Sequence, residues 1–143
     1  MVTPMFLTQS FNIFIDIDGN IFRGIFGNNG NGLHINFYGD KDWYKKYKSH
    51  RKNGPASIDF DGDQYYYIDN LLHRDDGPAI NWKYSRQWYK HGKIHREDGP
   101  AIIILDKDEN IIEEEQQWCF EDKRIDCSNQ EEFDRLIRLK LLW

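Results

Sequence analysis

One seven-residue string occurs three times: His50-Arg51-Lys52-Asn53-Gly54-Pro55-Ala56, His73-Arg74-Asp75-Asp76-Gly77-Pro78-Ala79 and His95-Arg96-Glu97-Asp98-Gly99-Pro100-Ala101. The copies begin 23 and 22 residues apart. Such a period marks a repeat architecture, in which each unit is one small supersecondary element that buries its apolar face against its neighbours. An aromatic stands seven residues before each His, at Trp43, Tyr66 and Trp88. Trp118 stands in the same relation to Ile125, where a fourth unit would begin, but it follows Trp88 by 30 residues. The last unit therefore carries about eight extra residues, and Asp106 to Glu115 is the natural place for them.

Within a unit the period is two. Ile80, Trp82 and Tyr84 alternate with Asn81, Lys83 and Ser85, the pattern of a half-buried strand, and a second strand follows through Gln87-Trp88-Tyr89-Lys90. The Gly-Pro-Ala corner suits a tight turn into a strand, because Pro is tolerated where no ladder N–H is needed. A fainter copy precedes the clear repeats: Ile15-Asp16-Ile17-Asp18-Gly19-Asn20 matches Ile58-Asp59-Phe60-Asp61-Gly62-Asp63, and Gly39-Asp40-Lys41-Asp42-Trp43 holds the turn position between them. At the C-terminus the period changes. Ser128 and Glu131 read as a capping box, and Phe133, Leu136, Ile137 and Lys140 follow at helical spacing, with Leu139, Leu141, Leu142 and Trp143 widening the face. The expected fold is mainly β: an antiparallel repeat sheet of consecutive β-hairpins, closed by a single C-terminal α-helix that caps the open edge. The array spans 1–127, with degenerate units in 11–49 and clear ones in 50–127, and the helix spans 128–143.

The string from Trp88 to Ala101 resembles the His-Arg-Glu-Asp-Gly-Pro-Ala repeat of giant-virus and tailed-phage proteins, a distant variant of MORN repeats. The tail from Lys123 to Trp143 is similar to the ending of such proteins, and the likeness covers roughly residues 28 to 143. The resemblance implies a β-hairpin repeat and a viral origin. It supplies no catalytic residue and no cofactor.

No apolar run approaches the ~20 residues of a membrane-spanning helix. The first ten residues lack a basic region followed by a long apolar one, and Cys119 and Cys127 make no disulfide framework. The expected setting is cytoplasmic, the host cytoplasm for a viral chain. Motifs for chemistry are weak. Phe14-Ile15-Asp16-Ile17-Asp18-Gly19 resembles the nucleophile motif of haloacid-dehalogenase-type phosphatases, but no helical pattern follows, and the string recurs at Asp59-Phe60-Asp61-Gly62 as a hairpin turn would. An EF-hand fails because position 12 from Asp16 is Gly27. Side-by-side hairpins would set equivalent residues two strand spacings, about 9–10 Å, apart, so His50, His73 and His95 are not expected to share a metal. At that spacing Arg51, Arg74 and Arg96 tolerate one another, and Asp76 and Asp98 are expected to pair with the Arg of their own turn. The column Trp43, Tyr66, Trp88 and Trp118 is expected in the core.

Charge is the clearest functional signal. The net charge is −5, but residues 41–52 alone carry +5, so the remainder sums to −10. Lys45, Lys46, Lys48, Arg51 and Lys52 interleave with Trp43, Tyr44 and Tyr47, the mixture that tracks a phosphate backbone while stacking bases. Against it stands an acidic stretch containing Asp106, Asp108, Glu109, Glu113, Glu114 and Glu115 with only Lys107. The leading expectation is a non-catalytic binding module, a phage or viral protein that binds a host protein, such as a defence factor, through the acidic stretch. The alternative is nucleic-acid or nucleotide binding through the basic stretch, and a third is a metal-dependent hydrolase acting on nucleotides. No catalytic residue, metal ligand or cofactor is assigned.

Overall fold

The computed structural model describes residues 13–15, 21–23, 30–36 and 38–140, with the side chains of 13–15, 21–23 and Lys140 left aside. The architecture is an antiparallel array of short hairpins ending in one helix. Strands β1 (Ile13–Ile15), β2 (Ile21–Arg23), β3 (Gly32–Ile35) and β4 (Lys41–Lys45) open it, and β1 runs antiparallel to both β2 and β3. That pairing is not the parallel sheet of a dehalogenase-type phosphatase; Asp16 and Asp18 lie outside the described residues.

Each repeat then contributes two hairpins rather than one. The first lies in the main sheet: β6 (Ser57–Ile58) with β7 (Gln64–Tyr65), and β10 (Ile80–Trp82) with β11 (Ser85–Gln87), followed by β14 (Ile102–Ile104). The second leaves it as a two-stranded ribbon: β8 (Tyr67–Ile68) with β9 (Leu71–Leu72), β12 (Tyr89–Lys90) with β13 (Lys93–Ile94), and β15 (Trp118–Phe120) with β16 (Lys123–Ile125). In the degenerate unit just before the clear ones, β5 (Lys48–Ser49) plays this part by folding back on β4. The main sheet runs β14-β11-β10-β7-β6-β4-β3-β1-β2, so the equivalent strands β6, β10 and β14 stand two places apart, as side-by-side hairpins require. The single strand expected through Gln87–Lys90 is broken at Trp88, as its equivalent is at Tyr66; the aromatics mark the corners between the two hairpins of a unit.

Those corners explain the Ala of the repeated string. The amides of Trp43, Tyr66 and Trp88 donate to the carbonyls of Ala56, Ala79 and Ala101 at 2.8, 2.7 and 2.8 Å. All three alanines are fully buried, where no longer side chain has space. The aromatic column itself is only half-buried, a departure from the core position expected of it.

Three of the sheet turns are built on a shared device. Asn36, Asp59 and Asp106 each use the side-chain oxygen to accept the amides two and four residues on, Tyr38 and Asp40, Asp61 and Asp63, Asp108 and Asn110. The Asp-Gly string at Asp61-Gly62 is thus a hairpin turn. The extra residues of the last unit extend the Asp106 turn and end in a 3-10 turn over Glu113–Glu115.

Helix α1 (Gln130–Lys140) closes the array. Its cap sits one residue later than the Ser128–Glu131 box: Asn129 Oδ1 accepts the Glu132 amide at 2.9 Å, and Glu132 Oε2 accepts the Ser128 amide at 3.0 Å. Both Ser and Asn are good N-caps, and the position that brings Phe133 inward prevails. Phe133 is 1% exposed and packs on Trp118 with ring centroids 5.1 Å apart, whereas Leu139 is 53% exposed and widens no buried face. Residues 141–143 lie outside the described residues.

Candidate functional site

The second hairpins bind one another through their tips. Their turn pairs are Lys46-Tyr47, Asp69-Asn70, His91-Gly92 and Glu121-Asp122, all with φ between 51° and 83°. The second residue of each pair donates its amide to the preceding unit: Tyr47 to Gly30, Asn70 to Ser49, Gly92 to Leu72 and Asp122 to Ile94, at 2.7 to 3.0 Å. Asn70 Oδ1 and Asp122 Oδ1 return the bond by accepting the Ser49 and Ile94 amides at 2.6 and 2.8 Å. The motif histidines serve the same joint. His50 Nδ1 lies 3.2 Å from the Asp69 amide and His73 Nδ1 lies 3.2 Å from the His91 amide. His95 instead packs on Phe120, with its Nδ1 3.8 Å from Glu121. Glu121 is also held by Lys93, which pushes the carboxyl below its ordinary range and the Lys93 ammonium above its own. The recurring His is therefore an inter-repeat fastener.

The recurring Arg is a cover. Arg51, Arg74 and Arg96 lay their guanidinium groups over Trp43, Tyr66 and Trp88 at 3.9, 4.1 and 4.0 Å from the ring centroids. Nη1 of each donates to the carbonyl of Pro55, Pro78 or Pro100 at 3.2, 3.4 and 3.1 Å. A side chain at Gly77 or Gly99 would meet the guanidinium at 3.0 or 2.9 Å, which is why the string has Gly there. Over Trp118 the place of the Arg is taken by Phe133 of the helix.

Two of the three turns neutralise their Arg. Arg74 Nε donates to Asp76 Oδ1 and Arg96 Nε to Asp98 Oδ1, each at 2.8 Å, and these bonds hold both carboxyls below the ordinary Asp range. The acid at the third position of the string pairs with the His of its own turn, His73 with Asp75 at 3.4 Å and His95 with Glu97 at 3.0 Å. The first turn has neither acid. Lys52 stands where Asp75 and Glu97 stand, and Asn53 where Asp76 and Asp98 stand. Among the described residues Arg51 has no carboxylate within ion-pairing distance, and its Nε has no acceptor. Between this turn and the next lies a cleft of about 520 Å³, walled by Arg51, Lys52, Asn53 and Gly54 on one side and by Tyr66, His73, Arg74 and Asp76 among others on the opposite side. The corresponding cleft one repeat on, beside Arg74, Asp75, Arg96 and Asp98, measures about 230 Å³.

The residues singled out by charge fall on two separate parts of the array. Lys45, Lys46 and Lys48 are exposed on the β4–β5 hairpin, Lys52 is exposed in the first turn, and among the described residues no carboxylate pairs with them. Trp43 is half-buried with one ring face under Arg51, which leaves that face unavailable for stacking, and Tyr44 is half-buried with its hydroxyl pKa raised by burial. Tyr47 is 58% exposed. The acidic residues lie past β14, five strands along the sheet from β4 and so about 24 Å away at the usual strand spacing. Asp106 is bound into its turn, the Asn110 amide holding its carboxyl below the ordinary range. Asp108, Glu109, Glu113, Glu114 and Glu115 are exposed, and among the described residues Asp108 pairs with Lys107 at 3.9 Å. Arg74 and Tyr66 of the cleft were not singled out by composition; aligning the three strings position by position exposes the signal, as the first copy is the one without acids.

Among the described residues no three His, Cys, Asp or Glu side chains gather to hold a metal ion, and no helix is long and apolar enough to cross a membrane. Cys119 and Cys127 are free thiols, and burial pushes both pKa values up, away from the reactive thiolate. Comparison with known protein families, with curated proteins and with solved structures gives no match to this chain.

Proposed function

We propose that this chain is a non-catalytic binding module, a ladder of hairpins that offers charged edges to a partner protein. The observation that carries the reading is the division of labour among its charged residues. The motif His and Arg side chains are spent on joining and covering neighbouring repeats. The charge left over is sorted, with Glu113, Glu114 and Glu115 exposed beyond β14 and the lysines of the β4–β5 hairpin five strands away. Charge separated in this way fixes the orientation of a partner and speeds its encounter. The motif resemblance extends the proposal to a viral or phage protein that acts in the host cytoplasm on a host protein, such as a defence factor.

Affinity capture from a host-cell lysate tests this, comparing the natural chain with the Glu113→Gln, Glu114→Gln, Glu115→Gln variant. A discrete protein partner whose recovery falls several-fold in the variant is the expected result. Equal recovery removes the acidic lobe from the interface, and absence of any specific partner overturns the module reading. A second reading, nucleic-acid or nucleotide binding, draws on Lys45, Lys46, Lys48 and Lys52 having no carboxylate partners among the described residues. It requires an affinity that falls steeply with salt, and no binding of a labelled single-stranded oligonucleotide at low salt ends it.

A further inference from the structure

We propose that the cleft between the first two turns is a carboxylate-binding site that receives an acidic side chain of the partner; this rests on the binding-module reading and names the chemistry of the partner. The three turns differ at one position that matters. In the second and third turns the same guanidinium, stacked on the same corner aromatic and tied to the same proline carbonyl, holds an Asp carboxylate on Nε at 2.8 Å. In the first turn the guanidinium is positioned identically, over Trp43 at 3.9 Å and on the Pro55 carbonyl at 3.2 Å, but Asn53 has replaced the Asp. The donor is thus already ordered while its acceptor has been removed from the chain. Binding there does not have to immobilise a flexible Arg, a cost that weakens most surface ion pairs.

The charge of the walls selects among anions. Arg51, Lys52 and Arg74 face Asp75 and Asp76, so the Lys, Arg and Asp side chains balance to one positive charge. Arg74 is already satisfied by Asp76 and His73 by Asp75, which leaves Arg51 and Lys52 as the open donors. A single carboxylate matches that balance. The close run of charges on a polyphosphate or nucleic-acid backbone would lie against Asp75 and Asp76 and be repelled. The volume of about 520 Å³, more than twice that of the next cleft, admits a side chain with its flanking backbone.

The test uses the full chain and a fluorescein-labelled peptide that carries one glutamate in a glycine-serine background, read by fluorescence anisotropy at low salt. Saturable binding is expected, weakened at least tenfold by Asn53→Asp, which restores to the first turn the carboxylate that the other two carry and so occupies the site from within. Because the other turns fold with that residue, circular dichroism of the variant should match the natural chain. Equal peptide affinity of the two proteins overturns the site, as does displacement of the peptide by an equimolar oligothymidylate. Partner capture that persists in Asn53→Asp alongside equal peptide binding removes the cleft and leaves the module reading intact. Absence of any captured partner removes the module reading, while the titration still decides the cleft.

Discussion

Replacement of Phe133 by alanine is expected to lower stability by about 3–5 kcal/mol, the range for emptying a buried aromatic site. Among the described residues Phe133 is the largest side chain that is completely enclosed, at 1% exposed, and it does for Trp118 what an Arg does for the earlier corner aromatics. Without it the helix loses its anchor on the array and the last repeat loses its cover together. In a ladder where each unit leans on its neighbours, an uncovered end destabilises inward. For a chain of 143 residues the shift is about 10–20 °C in Tm, measured by circular dichroism. A change below about 1 kcal/mol would mean that the helix is an appendage and not a cap.

The second large effect is expected at Ala79. Its side chain is fully buried and its carbonyl accepts the Tyr66 amide at 2.7 Å, so the backbone is fixed on both sides of the corner. Leu at this position has to displace the corner or force its rotamer, a cost of about 3 kcal/mol at the upper end of ordinary overpacking. The urea midpoint should fall accordingly while the unfolding slope stays constant. An unchanged midpoint would show that the repeats have room between them, contrary to a close-packed corner.

The array was legible because its signals are local. The 23- and 22-residue spacings, the Asp-Gly turn and the switch to helical spacing after Ser128 all lie within a few residues of one another, and the place of the extra residues followed from Trp118 alone. The pairing of Arg74 with Asp76 and of Arg96 with Asp98 was legible for the same reason, the partners being two residues apart. The second row of hairpins was not. Its tips adopt positive φ at Lys46, Tyr47, Asp69, Asn70, His91, Glu121 and Asp122, where only Asn and Asp favour that region and only Gly92 completes a familiar turn signal. What holds those residues there is the bond to the preceding repeat, a contact between residues 17 to 28 positions apart that no local pattern records. The corner aromatics were misplaced for a related reason: alternation says which residues face inward, but not that an Arg eight positions on will lie over the ring. For the proposed carboxylate cleft, comparison of the three strings shows only that the first lacks the acids, at Lys52 and Asn53; the stacking of Arg51 on Trp43 and the cleft beside it come from the folded chain.

Neighbouring repeats are joined through the tips of their second hairpins, and native-state amide hydrogen exchange reads that joint residue by residue. Asn70, Gly92 and Asp122 lie at exposed turns, yet their amides bond across to Ser49, Leu72 and Ile94. Their exchange should be slowed at least a hundredfold relative to an unstructured peptide and should match that of the Tyr66 and Trp88 amides at the corners. Exchange of these tip amides at unstructured rates, with the corner amides still protected, would contradict the account, because the hairpins would then be neighbours without being joined.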